Sequence, residues 1–356
     1  MSNIIKSDIL EYPIFIGKDV YSELEKFLKN YSSNKIFILV DENTGKYCLP
    51  LIQKNVSSLR KAEIIKIKSG EKGKDIEVCK KLWKELIISS ANRNSLLINL
   101  GGGVITDLGG FIAATFKRGM DFINVPTTLL SMIDASIGGK TAINIDKIKN
   151  QVGVFANPKA IFINPDFLKT LAQREIISGY AEIIKHALIC DKEYWKTLKN
   201  TNIQNADWNS IIKKSVEIKS KFVKLDPKEN NIRKALNFGH TIGHAFESYS
   251  MENDKKPLLH GEAIAAGMIC EAYISTKVLN LKEKELNEIT SIITHAFKQY
   301  KNFEIKKLIE LMYFDKKNIN KKINFTLIPE IGKYAIDNEI EENLISEALK
   351  IYKNIS

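Results

Sequence analysis

LLINLGGGVITDLGGFIAATFKRG, from Leu96 to Gly119, combines a strand, a glycine turn and a helix. The run from Leu96 to Leu100 is short and apolar, which is typical of a strand buried on both faces. Glycines 101–103 follow it, and apolar residues then occur at 104, 108, 111 and 112, as in a buried helix. Glycine N–H groups and a helix N-terminus favour a bound phosphate. Because the motif is not GxGxxG, a tight turn without a ligand stays an alternative to a dinucleotide site.

The same region is long enough and apolar enough to resemble a membrane span, since Asp107 is the one charge between Ser95 and Phe116. Its five glycines disfavour a continuous helix. We therefore expect a strand, a turn and a buried helix, and no membrane partner.

Apolar runs alternate with helical patterns throughout the first half, which predicts an α/β fold with a mostly parallel sheet covered on both faces. From about Leu171 onward long helical patterns dominate, with one short strand pair near residues 324–328 and 334–336. The other predicted strands are Lys35–Val40, Glu63–Ile67, Leu96–Leu100, Phe122–Val125 and Ala160–Ile163, and the clearest early helices are Tyr21–Lys29 and Asp75–Ser90.

Composition excludes several classes of function. The chain has 356 residues and a net charge of +11, but its basic residues are mostly lysines scattered along the whole length. Without a compact basic block, we expect no nucleic-acid partner. The four cysteines lie far apart and no secretory signal opens the sequence, so we expect reduced thiols and a cytoplasmic protein.

The stretch from Pro126 to Asn150, PTTLLSMIDASIGGKTAINIDKIKN, mixes hydroxyl, amide and ammonium groups with apolar residues. This mixture is typical of a cleft that binds a phosphorylated, hydroxyl-rich ligand, and it predicts a sugar phosphate substrate. Residues 139–141 resemble the end of a Walker A motif. However, Asp134 stands where that motif needs its first glycine, which excludes a nucleoside triphosphatase. Lys140 is expected to contact a phosphate or a nucleotide as an isolated charge.

Two earlier strand ends also carry polar groups. Residues 41–43 supply carboxylates of the kind that bind ribose hydroxyls. Residues 69–74, SGEKGK, either lie beside the same nucleotide or form a plain surface turn.

Four of the five histidines lie between residues 186 and 260. A helix over Ala235–Tyr249 would place Asn237, His240, Thr241 and His244 on one polar stripe, and such buried polar groups need partners. The spacing alone favours His240 and His244 as a pair of metal ligands.

Glu182 lies in a helix that is apolar almost all round, so its carboxylate needs a cation, for which Lys185 is one choice. One carboxylate and two imidazoles with an open position form a zinc site of the catalytic kind. Spacing does not decide whether His244 or His260 is the second imidazole.

These motifs together resemble the 3-dehydroquinate synthase family, a group of sugar phosphate cyclases, over nearly the whole chain. The segments that carry the resemblance are GGGVITDLGGFIAATFKRG, VPTTLLSMIDASIGGKTAIN, KNQVGVF, LKTL, SGYAEIIKH, ALNFGHTIGHA and LHGEAIAAGM. The resemblance implies an N-terminal Rossmann-like NAD-binding domain, residues 1–170, and a mainly α-helical metal- and substrate-binding domain, residues 171–356.

The resemblance also implies roles for individual residues. Zinc, for which cobalt is a possible substitute, would be held by Glu182, His240 and His260, and His244 would face the substrate. Arg118 would reach into the partner subunit's site in a homodimer. The other residues implied to contact the substrate are Asp134, Lys140, Asn150, Lys185, Lys219, Arg233, Asn237 and one of Lys316 and Lys317. The residues expected around NAD are Asp41, Ser69, Gly70, Glu71, Lys72, Gly73, Lys74, Gly103, Val104, Ile105, Thr106, Asp107, Thr127, Thr128, Lys140, Lys149, Phe167, Leu168, Lys169 and Thr170.

Three departures from the family pattern stand out. Thr106 and Ile148 occupy positions where the family usually has glycine, and the segment between His244 and His260 is a few residues longer than is typical. Loops absorb such insertions at small cost, so His260 stays the expected ligand.

The implied reaction converts 3-deoxy-D-arabino-heptulosonate 7-phosphate to 3-dehydroquinate and phosphate in the shikimate pathway. It proceeds by transient oxidation by NAD, phosphate elimination, re-reduction and intramolecular aldol cyclisation. The alternatives are a sister cyclase that uses another sugar phosphate, a metal-dependent polyol dehydrogenase, and a basic binding module without enzymatic activity.

Overall fold

The computed structural model describes residues 4–145, 148–313 and 323–355. Its α-helices are α1 (Val20–Leu28), α2 (Glu42–Tyr47), α3 (Leu49–Asn55), α4 (Ile76–Ile88), α5 (Gly103–Thr115), α6 (Gln173–Cys190), α7 (Lys192–Lys199), α8 (Trp208–Leu225), α9 (His240–Asn253), α10 (His260–Val278), α11 (Glu283–Ala296), α12 (Ile305–Tyr313) and α13 (Glu342–Asn354). Its strands are β1 (Ile5–Ser7), β2 (Ile14–Ile16), β3 (Ile36–Asp41), β4 (Glu63–Ile67), β5 (Leu96–Gly101), β6 (Asp121–Pro126), β7 (Lys140–Ile145), β8 (Ile148–Phe155), β9 (Ile161–Ile163), β10 (Ile323–Leu327) and β11 (Ala335–Ile340).

The chain divides into two compact units. The first comprises Met1–Ala172 and Asp207–Lys224, and the second comprises Gln173–Ala206 and Leu225–Ser356. The segment 207–224, which is most of α8, thus groups with the first unit, although the sequence places it in the helical half. The domain boundary at 170/171 stays a prediction.

The first unit is built on a seven-stranded sheet with the order β1-β2-β9-β6-β5-β3-β4. Strand β1 pairs with β2 in antiparallel fashion, and the remaining neighbours are parallel. The parallel α/β class predicted from the alternating pattern is therefore confirmed. The sequence did not predict β1, β2 or the separate antiparallel hairpin of β7 and β8.

The glycine turn is positioned by the register of two central strands. Gly101 at the end of β5 lies opposite Pro126 at the end of β6. The N–H of Thr127 donates to the Gly101 carbonyl at 3.0 Å, and a Cβ at Gly102 would lie 2.9 Å from Thr128 Cγ2. Glycine is thus required here by close approach, and the glycine turn and the start of the polar stretch leave the sheet side by side.

Helix α5 is buried, as the sequence predicts, with apolar residues over most of its surface. Within the described residues, every helix falls short of the length and apolar character that crossing a bilayer requires. The membrane-like run of the sequence is thus explained by β5 and α5, which pack together within one core.

The second unit consists mainly of helices, with β10 and β11 forming a two-stranded antiparallel sheet. The strand pair predicted near residues 324–328 and 334–336 is confirmed. Helices α6, α9 and α10 hold most of the histidines, and α10 packs against both α6 and α9.

The predicted helix over Ala235–Tyr249 is wrong at its start. Residues Ile232–Asn237 form a 3₁₀-helix, Gly239 adopts the left-handed conformation with φ 80°, and α9 begins at His240. The cause is tertiary, because the buried Glu271 carboxylate of α10 accepts the N–H groups of Gly239 at 2.6 Å and Ile242 at 3.1 Å. Asn237 therefore does not share a helical stripe with His240.

The two helices approach so closely that Gly267 on α10 has no room for a side chain. A Cβ at Gly267 would lie 2.0 Å from the Gly239 carbonyl oxygen. We expect Gly267→Ala to lower the free energy of unfolding by about 1–3 kcal/mol through overpacking. Thermal unfolding measures this loss. Gly45→Ala on α2, whose Cβ would lie at an ordinary 3.4 Å from Val40 Cγ2, is the control. Equal melting temperatures for the two variants would contradict the close packing.

Candidate functional site

The second unit brings one carboxylate and two imidazoles together. Glu182 on α6 is fully buried, while His240 and His260 are the first residues of α9 and α10. Oε1 of Glu182 lies 3.5 Å from Nε2 of His240 and 3.5 Å from Nε2 of His260. One ligand atom from each residue lies within 4.8 Å of the others. This donor set, one carboxylate oxygen and two imidazole nitrogens, fits a zinc or cobalt ion.

The Glu182 carboxylate also contacts Lys185, one turn along α6, whose ammonium pairs with Oε2. Both side chains are buried. The lysine and the two imidazoles thus surround the same carboxylate. Lys185, which the sequence offers as one cation for Glu182, is therefore present together with the histidines.

Each imidazole has an oxygen acceptor behind it. Nδ1 of His240 lies 3.1 Å from the carbonyl oxygen of Phe238, and Nδ1 of His260 lies 3.4 Å from Oε2 of Glu247. Burial lowers the pKa of His260, but hydrogen bonds to Glu182 and Glu247 outweigh it and raise the pKa to about 10. The surroundings of this ring therefore favour positive charge, which a divalent cation also supplies.

His244 and His260 differ in the groups of potential metal ligands to which they belong. The group around Glu182 contains His260, whereas His244 belongs to a second group with Glu247 and His260. The His244 ring centroid lies 5.2 Å from that of His240 and 5.9 Å from that of His260. His244 is thus adjacent to this group, and the residue that shares the group with Glu182 and His240 is His260 rather than His244, which spacing favours.

Glu247 is a site residue that the sequence reading missed. It lies one turn beyond His244 on α9 and is 6% exposed. The available signal was a carboxylate within the largely apolar run AFESY, the same signal that identified Glu182.

Arg233 and Asn237 lie on the 3₁₀-helix before α9. Arg233 is buried and donates from Nη1 to the Pro227 carbonyl at 2.6 Å. Asn237 donates from Nδ2 to Oε1 of Glu229 at 2.9 Å. Lys316 and Lys317 lie outside the described residues.

The first unit has a polar cluster around Lys74. Its Nζ lies 2.5 Å from Oδ2 of Asp107 on α5 and 2.5 Å from Oδ1 of Asn150 on β8. Asn144 on β7 accepts the Asn150 N–H at 2.9 Å and donates to Glu71 at 2.8 Å. Burial raises the pKa of Asp107, while Lys74 acts to lower it. The 69–74 turn is thus tied to a helix and a hairpin, which does not fit a plain surface turn.

A second ion pair joins the polar stretch to α8. Lys219 is buried and its ammonium contacts Oδ1 of Asp134, which lies in the π-helical turn Ser131–Ala135. Asp134 thus faces a cation, in agreement with the exclusion of a phosphate cradle at that position.

The remaining predicted residues of the first unit lie at strand and helix ends. The Asp41 carboxylate caps α2 by accepting the Thr44 N–H at 2.8 Å. Thr106 is buried and donates to the Gly103 carbonyl, so its extra side chain is accommodated within α5. Arg118 is exposed and left-handed, with φ 67°. Gly103, Val104 and Ile105 begin α5, and Thr127 and Thr128 follow β6. Lys140 lies on β7 and Lys149 on β8, while Ser69, Gly70, Lys72 and Gly73 lie in the 69–74 turn. The 3₁₀-helix Pro165–Thr170 contains Phe167, Leu168, Lys169 and Thr170.

Comparison with known proteins connects this geometry to one family. The family models for 3-dehydroquinate synthase N-terminal and C-terminal regions match residues 64–178 and 179–318. A 3-dehydroquinate synthase of Parabacteroides distasonis is 43% identical over 348 residues, which cover 96% of this chain and 98% of the relative.

Two solved structures share the fold over nearly the whole chain. A 2-deoxy-scyllo-inosose synthase complexed with carbaglucose-6-phosphate, NAD+ and Co2+ has a TM-score of 0.86 at 21% identity, covering 98% of this chain and 99% of that one. A 2-epi-5-epi-valiolone synthase of Streptomyces hygroscopicus subsp. jinggangensis with NAD+ and Zn2+ bound has a TM-score of 0.83 at 22% identity, covering 99% of each chain. At these identities the two structures support the fold alone. From the two family models and the relative at 43% identity, it follows that the chain belongs to the 3-dehydroquinate synthase family.

Proposed function

We propose that the protein converts 3-deoxy-D-arabino-heptulosonate 7-phosphate to 3-dehydroquinate and phosphate, as a carbon–oxygen lyase of the shikimate pathway towards chorismate and the aromatic amino acids. The observation that carries this proposal is 43% identity over 96% of the chain to a relative named for that activity. The convergence of Glu182, His240 and His260 supports it independently, because the reaction calls for a metal centre.

We infer that Zn2+, with Co2+ as a possible substitute, is held by Glu182, His240 and His260. Glu182 contributes the negative charge, and the two Nε2 atoms contribute neutral lone pairs when each Nδ1 carries the proton. A cation bound there supplies a Lewis acid that polarises a substrate oxygen, and NAD supplies a reversible acceptor for a hydride. The two structural neighbours whose names state NAD+ together with Co2+ or Zn2+ support this choice of cofactors.

We propose that NAD binds in the first unit, at the turn after β5, the residues after β6 and the cluster around Lys74. The N–H groups at the start of α5 and the dipole of that helix favour a pyrophosphate. Lys74 compensates the charge of Asp107, and Lys149 adds a further cation on β8. Asp41 stays the proposed ribose ligand at the end of β3, in addition to its role as a helix cap.

For substrate binding we propose the cationic, amide and other polar residues that the family resemblance implies. Phosphate and carboxylate groups are recognised by ammonium and guanidinium donors, which the chain offers here in number. In the second unit the proposed residues are Lys185, Arg233, Asn237, His244 and one of Lys316 and Lys317. In the first unit they are Asp134, Lys140, Asn150 and Lys219.

We propose further that the protein acts as a cytoplasmic homodimer in which Arg118 reaches the partner subunit's site. The exposed position of Arg118, three residues after the end of α5, supports this role because its side chain is accessible to another molecule. The wide spacing of the cysteines supports a reducing compartment.

The direct test is an incubation with zinc, a catalytic amount of NAD and the seven-carbon acid phosphate. We expect one phosphate for each 3-dehydroquinate formed and no net NADH. Glucose 6-phosphate and sedoheptulose 7-phosphate are the controls, and neither is expected to release phosphate. Accumulation of NADH would instead identify a polyol dehydrogenase, and phosphate release from a control sugar alone would identify a sister cyclase. Either result contradicts the proposal.

A further inference from the structure

His260 places its two ring nitrogens against two different carboxylates. Nε2 lies 3.5 Å from Oε1 of Glu182, and Nδ1 lies 3.4 Å from Oε2 of Glu247. A neutral imidazole carries one proton, so the group that accepts from one nitrogen decides which nitrogen keeps a free lone pair. Of the two carboxylates, Glu182 belongs to the proposed metal ligands and Glu247 does not.

The neighbouring histidine shows the same arrangement with a different acceptor. Nδ1 of His240 lies 3.1 Å from the Phe238 carbonyl, which can only accept a hydrogen bond. The proton of His240 therefore stays on Nδ1, and its Nε2 faces Glu182 as a lone-pair donor. The Glu247 carboxylate thus lies at Nδ1 of His260 as the Phe238 carbonyl lies at Nδ1 of His240.

The backbone at the start of α10 is held without Glu247. The Glu262 carboxylate accepts the N–H of Leu259 at 2.8 Å, and Arg174 on α6 pairs with Glu262 through two nitrogens and also donates to the Pro257 carbonyl. These contacts fix where His260 begins its helix. They do not determine the rotation or the tautomer of the His260 ring, which depend on the group that Nδ1 contacts, Glu247.

The position of Glu247 itself is also well defined. It is 6% exposed and lies on α9, whose first turn is fixed by the Glu271 carboxylate. Burial of a carboxylate is costly unless it is hydrogen-bonded or paired, so its contact with His260 is part of a fixed arrangement.

We propose that Glu247 is a positioning residue of the metal centre, which accepts the Nδ1 proton of His260 and so directs the Nε2 lone pair towards the ion bound by Glu182. In this role Glu247 acts through His260 rather than as a metal ligand or a catalytic group. A carboxylate behind a ligating imidazole fixes the ring and makes it a stronger ligand, and its removal typically weakens metal binding. This inference rests on the proposed metal site of the proposed function.

The geometry also contains a competing arrangement, in which His244, Glu247 and His260 would hold a separate cation. That arrangement would use Nδ1 of His260 as a ligand, and a bridging imidazole would then carry no ring proton. The parallel with His240, whose Nδ1 faces a carbonyl, favours the positioning role.

The test measures zinc affinity in the full chain by competition with a chromophoric chelator, in the absence of substrate. We expect Glu247→Ala to weaken zinc binding by about 10–100-fold, and the near-isosteric Glu247→Gln to weaken it less because it keeps an acceptor oxygen. Glu252→Gln, at an exposed position on the same helix, is the control and is expected to bind zinc like the parent. The absorption spectrum of bound Co2+ should also change in Glu247→Ala, which loss of packing alone would not cause.

Three results would overturn the inference. Unchanged zinc affinity in Glu247→Ala would show that the carboxylate does not support the centre. Two zinc ions for each parent chain and one in the variant would make Glu247 a ligand of its own site. Circular dichroism shows whether Glu247→Ala folds. If it does not, Glu247→Gln takes its place, and parental zinc affinity with an unchanged Co2+ spectrum in that variant would overturn the positioning role.

The proposed function can fail separately. A parent chain that binds zinc, loses affinity in Glu247→Ala, and yet releases no phosphate would leave this inference standing while contradicting the activity. A parent chain that binds no zinc would overturn both.

Discussion

Replacement of His260 by alanine is expected to remove bound zinc and to lower kcat/KM by more than about a hundred-fold, while the chain stays folded. The variant removes one of three side chains that meet at the buried Glu182 carboxylate. The fold should persist because the His260 side chain is 26% exposed and the first turn of α10 is capped by Glu262. Zinc content, circular dichroism and phosphate release are the three measurements.

The matched control is His295→Ala. His295 lies on an exposed position of α11 and is the one histidine outside the 186–260 segment. It should keep the parent's zinc content and turnover, which separates loss of a ligand from loss of any imidazole. Full zinc content with retained turnover in His260→Ala would contradict the ligand assignment and would return His244 as the alternative.

The central strands could be predicted to within about one residue because they are buried on both faces. The predicted Glu63–Ile67 coincides with β4, and the predicted Leu96–Leu100 is one residue shorter than β5. Such strands are recognisable as unbroken apolar runs. Strands β1 and β2 are three residues each, too short for a pattern, and the β7–β8 hairpin mixes polar and apolar residues without a clear alternation.

The candidate metal centre was predictable in residue type but not in arrangement. A carboxylate in an apolar helix and a concentration of histidines both point to a cation. Spacing could not choose between His244 and His260, because His260 begins a different helix, α10, which packs against α9 and α6 from a later part of the chain. The interruption at Gly239 depends on Glu271, which lies 32 residues further along the chain. Contacts over such distances in sequence cannot be found from local periodicity.

Lys74→Met is expected to lower the free energy of unfolding by about 3 kcal/mol, because it leaves the largely buried Asp107 carboxylate without its cation. Lys74 is 4% exposed and the Asp107 side chain is 19% exposed, and their charged atoms lie 2.5 Å apart. Burial raises the pKa of Asp107, and loss of Lys74 removes the largest opposing influence. Methionine keeps most of the side-chain volume, so the effect reports charge rather than a cavity. Chemical denaturation of the NAD-free protein measures it.

The exposed pair of Lys80 and Glu77 on α4 provides the control, since both side chains are more than half exposed. Lys80→Met should change the free energy of unfolding by less than about 1 kcal/mol, because solvent already screens that pair. Equal losses in Lys80→Met and Lys74→Met would contradict a special role for the buried pair.

A further variant, Asp107→Asn, removes the negative charge that Lys74→Met leaves unpaired. In the double variant Lys74→Met with Asp107→Asn, the loss of stability should be smaller than the sum of the two single losses, because no buried ion remains without a partner.

NAD titration of the same variants separates an effect on folding from an effect on cofactor binding. If the pair serves the cofactor as well as the fold, the double variant should regain stability while its NAD affinity stays at least about ten-fold below that of the parent. Recovery of both together would mean that the pair contributes to stability alone, and the cofactor role proposed for Lys74 and Asp107 would be wrong.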